Sequence, residues 1–153
     1  SIIAPQGTYP KTNEVLQAIR AQVAETGLDV TIQIMDVSAF AERRGAGNYD
    51  MFYVGGASVG GDVDWLVGTR IIGDAFKSGF NNPEIVAAWR KARETMDRND
   101  RGKVLTEAMK VMNKEYAPMI FVYQMENIYM VRKGVDGAVF RGDKITDLRY
   151  VTK

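Results

Sequence analysis

At 153 residues the chain is the size of one domain, able to bury roughly 68–70 % of its unfolded surface with no disulfide or metal staple. Twenty basic and nineteen acidic side chains nearly cancel, so no whole-chain field draws it to nucleic acid, a membrane surface or an acidic polymer. With neither Cys nor His it lacks thiolate nucleophiles, thiolate metal sites and the commonest metal ligand and general base, which excludes much catalytic chemistry and leaves the redox compartment open.

Ser1 to Ala4 reads as the end of a strand, followed by a turn at Pro5, Gly7 and Pro10. The chain opens on Ser1 inside an apolar run, as expected of a piece of something longer. A helix capped by Thr12 or Asn13 follows, with Val15, Leu16, Ile19 and Val23 on one face and Gly27 at its end. From Leu28 to Met35 apolar and polar residues alternate with period two, the pattern of a half-buried strand, and the strand, helix, strand order predicts a parallel sheet. Asp36 or Ser38 caps a short helix through Phe40 to Arg44, and Tyr49 to Val54 reads as a buried strand. Asp64 to Ile72 reads as a short helix. Asn82, Pro83 and Glu84 start another, with Ile85, Trp89, Ala92 and Met96 on its buried face. Asn99 or Asp100 caps a further helix with the stripe Val104, Ala108, Val111 and Met112, ended by Pro118. Met119 to Tyr123 has the continuous apolar run of a buried strand, and Ile128 to Arg132 predicts one more. Residues 134–153 mix Gly, charge and single apolar side chains, a composition suited to covering a neighbour. No segment approaches the run of about 20 apolar residues that spans a bilayer.

The candidate site is the loop that leaves the strand at Tyr49 to Val54. Gly55, Gly56, Gly60 and Gly61 permit close approach of a ligand to the main chain, and in an open α/β sheet ligands collect beyond the carboxyl ends of strands. The glycines fit neither GxxxxGK[ST] nor GxGxxG, so nucleotide binding is not indicated. Asp62 and Asp64, with Asp74 farther on, raise the alternative of a metal-dependent α/β enzyme, although the calcium-loop pattern is incomplete and capping of the next helix explains the acids as well. Ser58 is not in GxSxG and has no His to activate it. Arg43 and Arg44 complement a helix dipole or capture an anion; Gln124, Glu126 and Asn127 line a polar pocket or form a solvated turn.

Taken in order, VLQAIRAQVAETGLDVTIQIMD, YDMFYVGG, FNNPEIVAAWRKARETMDRNDRGKVLTEAMKVMNKEYAPMIFVYQ and a late GV resemble the carboxyl-terminal part of the family 5 extracellular solute-binding proteins, the dipeptide and oligopeptide receptors of bacterial ABC importers. The resemblance covers nearly the whole chain. It implies a type II periplasmic-binding-protein-like α/β lobe with a mixed, mostly parallel sheet flanked by helices, part of a larger two-lobed protein. Residues 1–133 would form the incomplete carboxyl-terminal lobe, and residues 134–153 a tail returning towards the missing first lobe. Ligand contacts are implied on the loop Gly55, Gly56, Ala57, Ser58, Val59 and Gly60, with Arg44 near a position that can hold a ligand carboxylate; Gln124 joins the candidate set from its own reading as lining a polar pocket, apart from the resemblance. Many peptide receptors carry a Gly-Trp pair and then an Asp that pairs with the peptide ammonium. Here Gly56 stands at the Trp position and Val59 at the Asp position, so neither side-chain feature is present.

The expected function is the substrate-binding component of an ABC importer, capturing a peptide, opine-like or sugar-conjugate solute between two lobes and delivering it to a membrane permease. It is expected to be periplasmic and not an enzyme, with no cofactor, metal or nucleic acid. The other reading from a different class is the ligand-sensing domain of a transcription regulator built on the same fold.

Overall fold

The computed structural model describes every residue except 59–60, 74–77, 143–144 and 153. The chain forms two compact units, residues 1–56 with 74–79 and residues 57–73 with 80–153. Asp74, weighed above with the other acids, falls outside the described residues.

The first unit is a strand–helix–strand–helix–strand run: β1 (Ile2–Pro5), α1 (Thr12–Ala24), β2 (Ile32–Met35), α2 (Val37–Gly45) and β3 (Met51–Phe52). The strands form a parallel sheet in the order β2-β1-β3, with Ile2 opposite both Ile32 and Met51. All four residues of the central strand are buried. Ile2 and Ala4 pack with Leu16 and Val30, and Ile19, Val23, Ile32 and Tyr53 close round them. Ile3, on the opposite pleat, is also fully buried, as is Phe40 of α2, so helices cover both faces as a parallel sheet requires.

Three readings of this unit need correction. The strand expected from Leu28 begins only at Ile32, because β1 offers four residues to pair with, and Leu28 is 62 % exposed. The strand expected over Tyr49 to Val54 pairs only at Met51–Phe52, with Met51 exposed and Phe52 half-buried, because it lies at a sheet edge rather than in the centre. Thr12 is the first helical residue rather than the cap. Lys11 holds the cap position in the left-handed region (φ 53°), and the Thr12 hydroxyl donates to the Tyr9 carbonyl at 2.9 Å. For α2 the cap is Asp36, whose carboxylate accepts from the amides of Ser38 and Ala39, both at 3.0 Å.

The second unit is helical at its core. A π-helix (Asp64–Ile72), in which the amide of Gly73 reaches the carbonyl of Gly68 five residues back, packs with α3 (Pro83–Glu94) and α4 (Arg98–Val111). Val67, Ile71, Ile85, Trp89, Ala92, Leu105, Ala108 and Met112 form one buried cluster. Asn82 caps α3 through the amides of Glu84 and Ile85. That helix ends at Glu94, which leaves Met96 95 % exposed instead of on the buried face. The cap of α4 is Asp97 rather than Asn99 or Asp100, and this places Leu105 inside and leaves Val111 at the surface. A π-turn (Met112–Tyr116) follows, and Ala117 in the left-handed region ends the helix before Pro118.

Met119 to Tyr123 and Ile128 to Arg132 are not strands. They run irregularly, with Ile120 79 % exposed, because no other described strand pairs with them. In the tail β4 (Val139–Phe140) pairs antiparallel with β5 (Thr146–Asp147), and Tyr129 stacks on Phe140 with ring centroids 4.2 Å apart. Among the described residues no helix is long and apolar enough to cross a membrane.

Candidate functional site

Because β1, β2 and β3 are parallel, their carboxyl ends share one edge, where backbone groups no longer engaged in the sheet face outward. Three segments leave that edge: Gln6 to Lys11 after β1, Asp36 at the start of α2, and Tyr53 to Gly56 after β3. Tyr9 ties the first to the third. Its hydroxyl donates to the Gly55 carbonyl at 3.0 Å, and its ring meets Tyr53 edge-on, with centroids 5.7 Å apart and planes at 86°. A Cβ on Gly55 would stand 2.9 Å from the Tyr9 ring, so any larger residue there would have to push the ring aside. The Asp36 carboxyl is held below the usual carboxylate range by the Ser38 hydroxyl first and then by the Ala39 amide, which keeps a negative charge at this edge.

The loop's second half belongs to the other unit. The Ser58 hydroxyl donates to the Asp62 carbonyl at 2.5 Å, and the Gly61 amide turns back to the Ser58 carbonyl at 3.3 Å with Gly61 at φ 74°. Ala57 and Ser58 are half-buried and Gly56 is exposed, while Val59 and Gly60 lie outside the described residues.

Arg44 is not brought to this edge. A helix crossing between parallel strands runs against them, so the last turn of α2 sits at the amino ends of the strands, where the Arg44 guanidinium lies 5.3 Å from the centre of the Phe40 ring. Its neighbour Arg43 donates to the Asn48 carbonyl at 2.8 Å and to the Gln33 side chain. Gln124 stands exposed in the irregular run after Pro118.

The carboxylates weighed as metal ligands are engaged by arginines. Asp62 pairs with Arg101 at 2.7 Å, and Arg93 grips Asp64 through two nitrogens at 3.0–3.2 Å. Two guanidinium charges on two carboxylates leave no excess negative charge to draw a hard cation, and the metal-enzyme reading gives way to an ion-pair lattice. Among the described residues no three or more acidic side chains gather to hold a metal. A shallow hollow of about 570 Å³ on the β4–β5 hairpin, lined by Arg141, Ile145 and Arg149 among others, shares no residue with the glycine loop.

Tyr9, Arg93 and Arg101 are the site residues the sequence alone did not single out. An aromatic inside the Gly7–Pro10 turn was a usable sign for Tyr9. The two arginines stand 29 and 39 residues from the acids they hold, and no local pattern marks that pairing.

A solved structure with the same arrangement is the ABC transporter-associated periplasmic binding protein DppA from Helicobacter pylori, in complex with the peptide STSA. It matches with a TM-score of 0.65 over 76 % of this chain and 23 % of that one, at 21 % identity. The fold is that of a periplasmic binding protein. In sequence the chain is similar to the di/tripeptide-binding protein 4 of Pseudomonas aeruginosa (strain UCBPP-PA14), 29 % identical over 137 residues, 86 % of this chain and 26 % of the relative, in keeping with the resemblance to dipeptide and oligopeptide receptors. The chain therefore spans about a quarter of the length of each. No protein-family model matches it.

Proposed function

We propose that this chain is the ligand-gripping part of the periplasmic substrate receptor of an ABC importer, which captures a peptide or peptide-like solute and hands it to a membrane permease. The observation that carries this reading is the sequence likeness to a di/tripeptide-binding protein across 86 % of the chain. The carboxyl edge of the sheet supports it, with a glycine loop presenting main chain and Tyr9 fixing where that loop starts. On this reading no catalysis is involved: closure around solute is the mechanism, and backbone amides and shape supply the recognition.

Gly55, Gly56, Ala57, Ser58, Val59 and Gly60 contact the solute, Gln124 contributes at the pocket rim, and the rest of the receptor supplies the opposing lobe, with residues 134–153 reaching towards it. Arg44 is left out of this grip in our reading, because the last turn of α2 lies at the other edge of the sheet. Because Gly56 and Val59 replace the aromatic and the acid of the family pattern, no side-chain carboxylate at that point demands a free ammonium group, so modified peptides, opine-like conjugates and sugar derivatives are accepted alongside free peptides.

The test is native mass spectrometry of the full-length protein purified from its own host, with identification of whatever denaturation releases, followed by titration with dialanine, trialanine and the peptide STSA. A stoichiometric peptide-like molecule is expected. A protein that carries nothing and takes up none of the three peptides would overturn the reading.

A further inference from the structure

Arg101 lies in the first turn of α4 with its side chain 24 % exposed, and its guanidinium reaches three places. One terminal nitrogen donates to the Asp62 carboxylate at 2.7 Å and stands 3.9 Å from that of Asp64, and the other donates to the Ala92 carbonyl at 3.4 Å, near the end of α3. Asp62 is in turn joined to the glycine loop. Its carbonyl takes the Ser58 hydroxyl at 2.5 Å, and its carboxylate takes the Asp64 amide at 2.9 Å. Asp64 is held from the next helix by the two-nitrogen grip of Arg93. A single cation thus links the α3–α4 pair to the residue that fixes Ser58.

The Arg101–Asp62 contact is charge-assisted and, with the Arg101 side chain only 24 % exposed, it is less screened than an ion pair open on both sides, whereas the Ser58 hydroxyl meets a neutral carbonyl. Lys103–Asp100, on the same helix, provides the contrast: both side chains are largely exposed, and they bind nothing beyond each other's charge in that pairing.

We propose that Arg101 is a positioning residue for the binding loop: acting through Asp62 on Ser58, it sets the place at which Ser58 meets solute. The consequence for binding rests on the receptor reading above, whereas the anchoring rests on the geometry alone. Asp62 and Asp64 are then fittings of the loop, which explains why two acids two residues apart are met by arginines from two different helices.

The test uses the full-length protein with Arg101→Gln, Asp62→Asn, Ser58→Ala, the Ser58→Ala/Arg101→Gln pair and Lys103→Gln. Amide hydrogen exchange without ligand and trialanine affinity are read side by side. Arg101→Gln is expected to speed exchange at Gly61 and Asp64 about 10-fold, leave the centre of α3 unchanged and raise the trialanine Kd about 10-fold. The double variant should do no more than the worse single one, because both act on one linkage. Lys103→Gln should move neither reading, and Asp62→Asn serves if Arg101→Gln does not fold. Wild-type exchange at Gly61 and Asp64 in Arg101→Gln or Asp62→Asn would overturn the anchoring, whether or not trialanine binds. Faster exchange with a Kd within about twofold of the original would overturn the positioning role. An unmodified protein that carries nothing from its host and binds none of the three peptides would overturn the receptor reading instead, and exchange would still decide the anchoring.

Discussion

Gly68 and Gly102 are both helical glycines, yet replacing each with alanine is expected to change stability in opposite directions. Ala is favoured over Gly in a helix by about 1 kcal/mol, a gain available at either position if nothing is in the way. At Gly102, on the exposed side of α4, an added Cβ meets nothing within 4 Å, so Gly102→Ala should stabilise by about 0.5–1 kcal/mol. At Gly68 the same carbon would overlap the Asp64 carboxylate and the Trp89 indole nitrogen. Trp89 is 1 % exposed and has no room to yield, so the carboxylate must swing away from Arg93. Overpacking of this kind costs about 1–3 kcal/mol, and the weakened charge-assisted bonds cost about 1.5–3 kcal/mol more. Set against the propensity gain of about 1 kcal/mol, Gly68→Ala should destabilise by about 1.5–5 kcal/mol. Urea unfolding of the two variants beside the parent protein, with slopes checked for equality, measures both numbers. Gly68→Ala at or above parental stability would refute the reasoning, as would two changes of the same sign. Asp64→Ala in the Gly68→Ala background should cost less than it does alone, since the overlap it relieves is then present.

Two smaller predictions concern the sheet edge. Tyr9→Phe removes the hydroxyl bonded to Gly55 while keeping the ring against Tyr53, and should cost about 0.5–1.5 kcal/mol in a denaturant melt. Unchanged stability would mean that water replaces the bond without loss. For Asp36 the folded pKa lies below the ordinary 3.8, so the cap's contribution to α2 is fully present above pH 3.8 and is lost as pH falls through the folded value. Amide exchange at Ser38 and Ala39 should therefore rise below pH 3.8 after correction for the intrinsic rate, and Asp36→Asn should abolish that rise.

The parts of the fold legible in the sequence are those in which one residue type has one physical use. Asn82 before Pro83 could hardly do anything but open α3, and Asp36 before Val37 likewise caps α2. The three-to-four spacing of Leu16 with Ile19 and Val23 located the buried face of α1. What failed was whatever depended on a partner elsewhere in the chain. Leu28 alternates correctly for a strand but has no opposite residue in β1, and Ile120 to Tyr123 has strand composition with no described strand beside it. Arg44 is a third kind of case, since its distance along the chain from the loop is short while the direction of α2 carries it to the far edge of the sheet. The glycine loop itself was visible from composition, but its tethers were not, because Tyr9 and Arg101 reach it from 46 and 39 residues away.

The irregular run after Pro118 carries a hazard of its own. Ile120, Phe121, Val122 and Tyr123 are β-branched or aromatic, uncharged and open to solvent, a combination that readily forms intermolecular β-sheet and seeds aggregation. Two features hold it in check from either side: Pro118, which cannot donate to a growing ladder, and Glu126, whose charge would repel its own copy in a stacked register. Replacing either of these two residues is expected to show first as turbidity at high concentration rather than as a change in melting temperature.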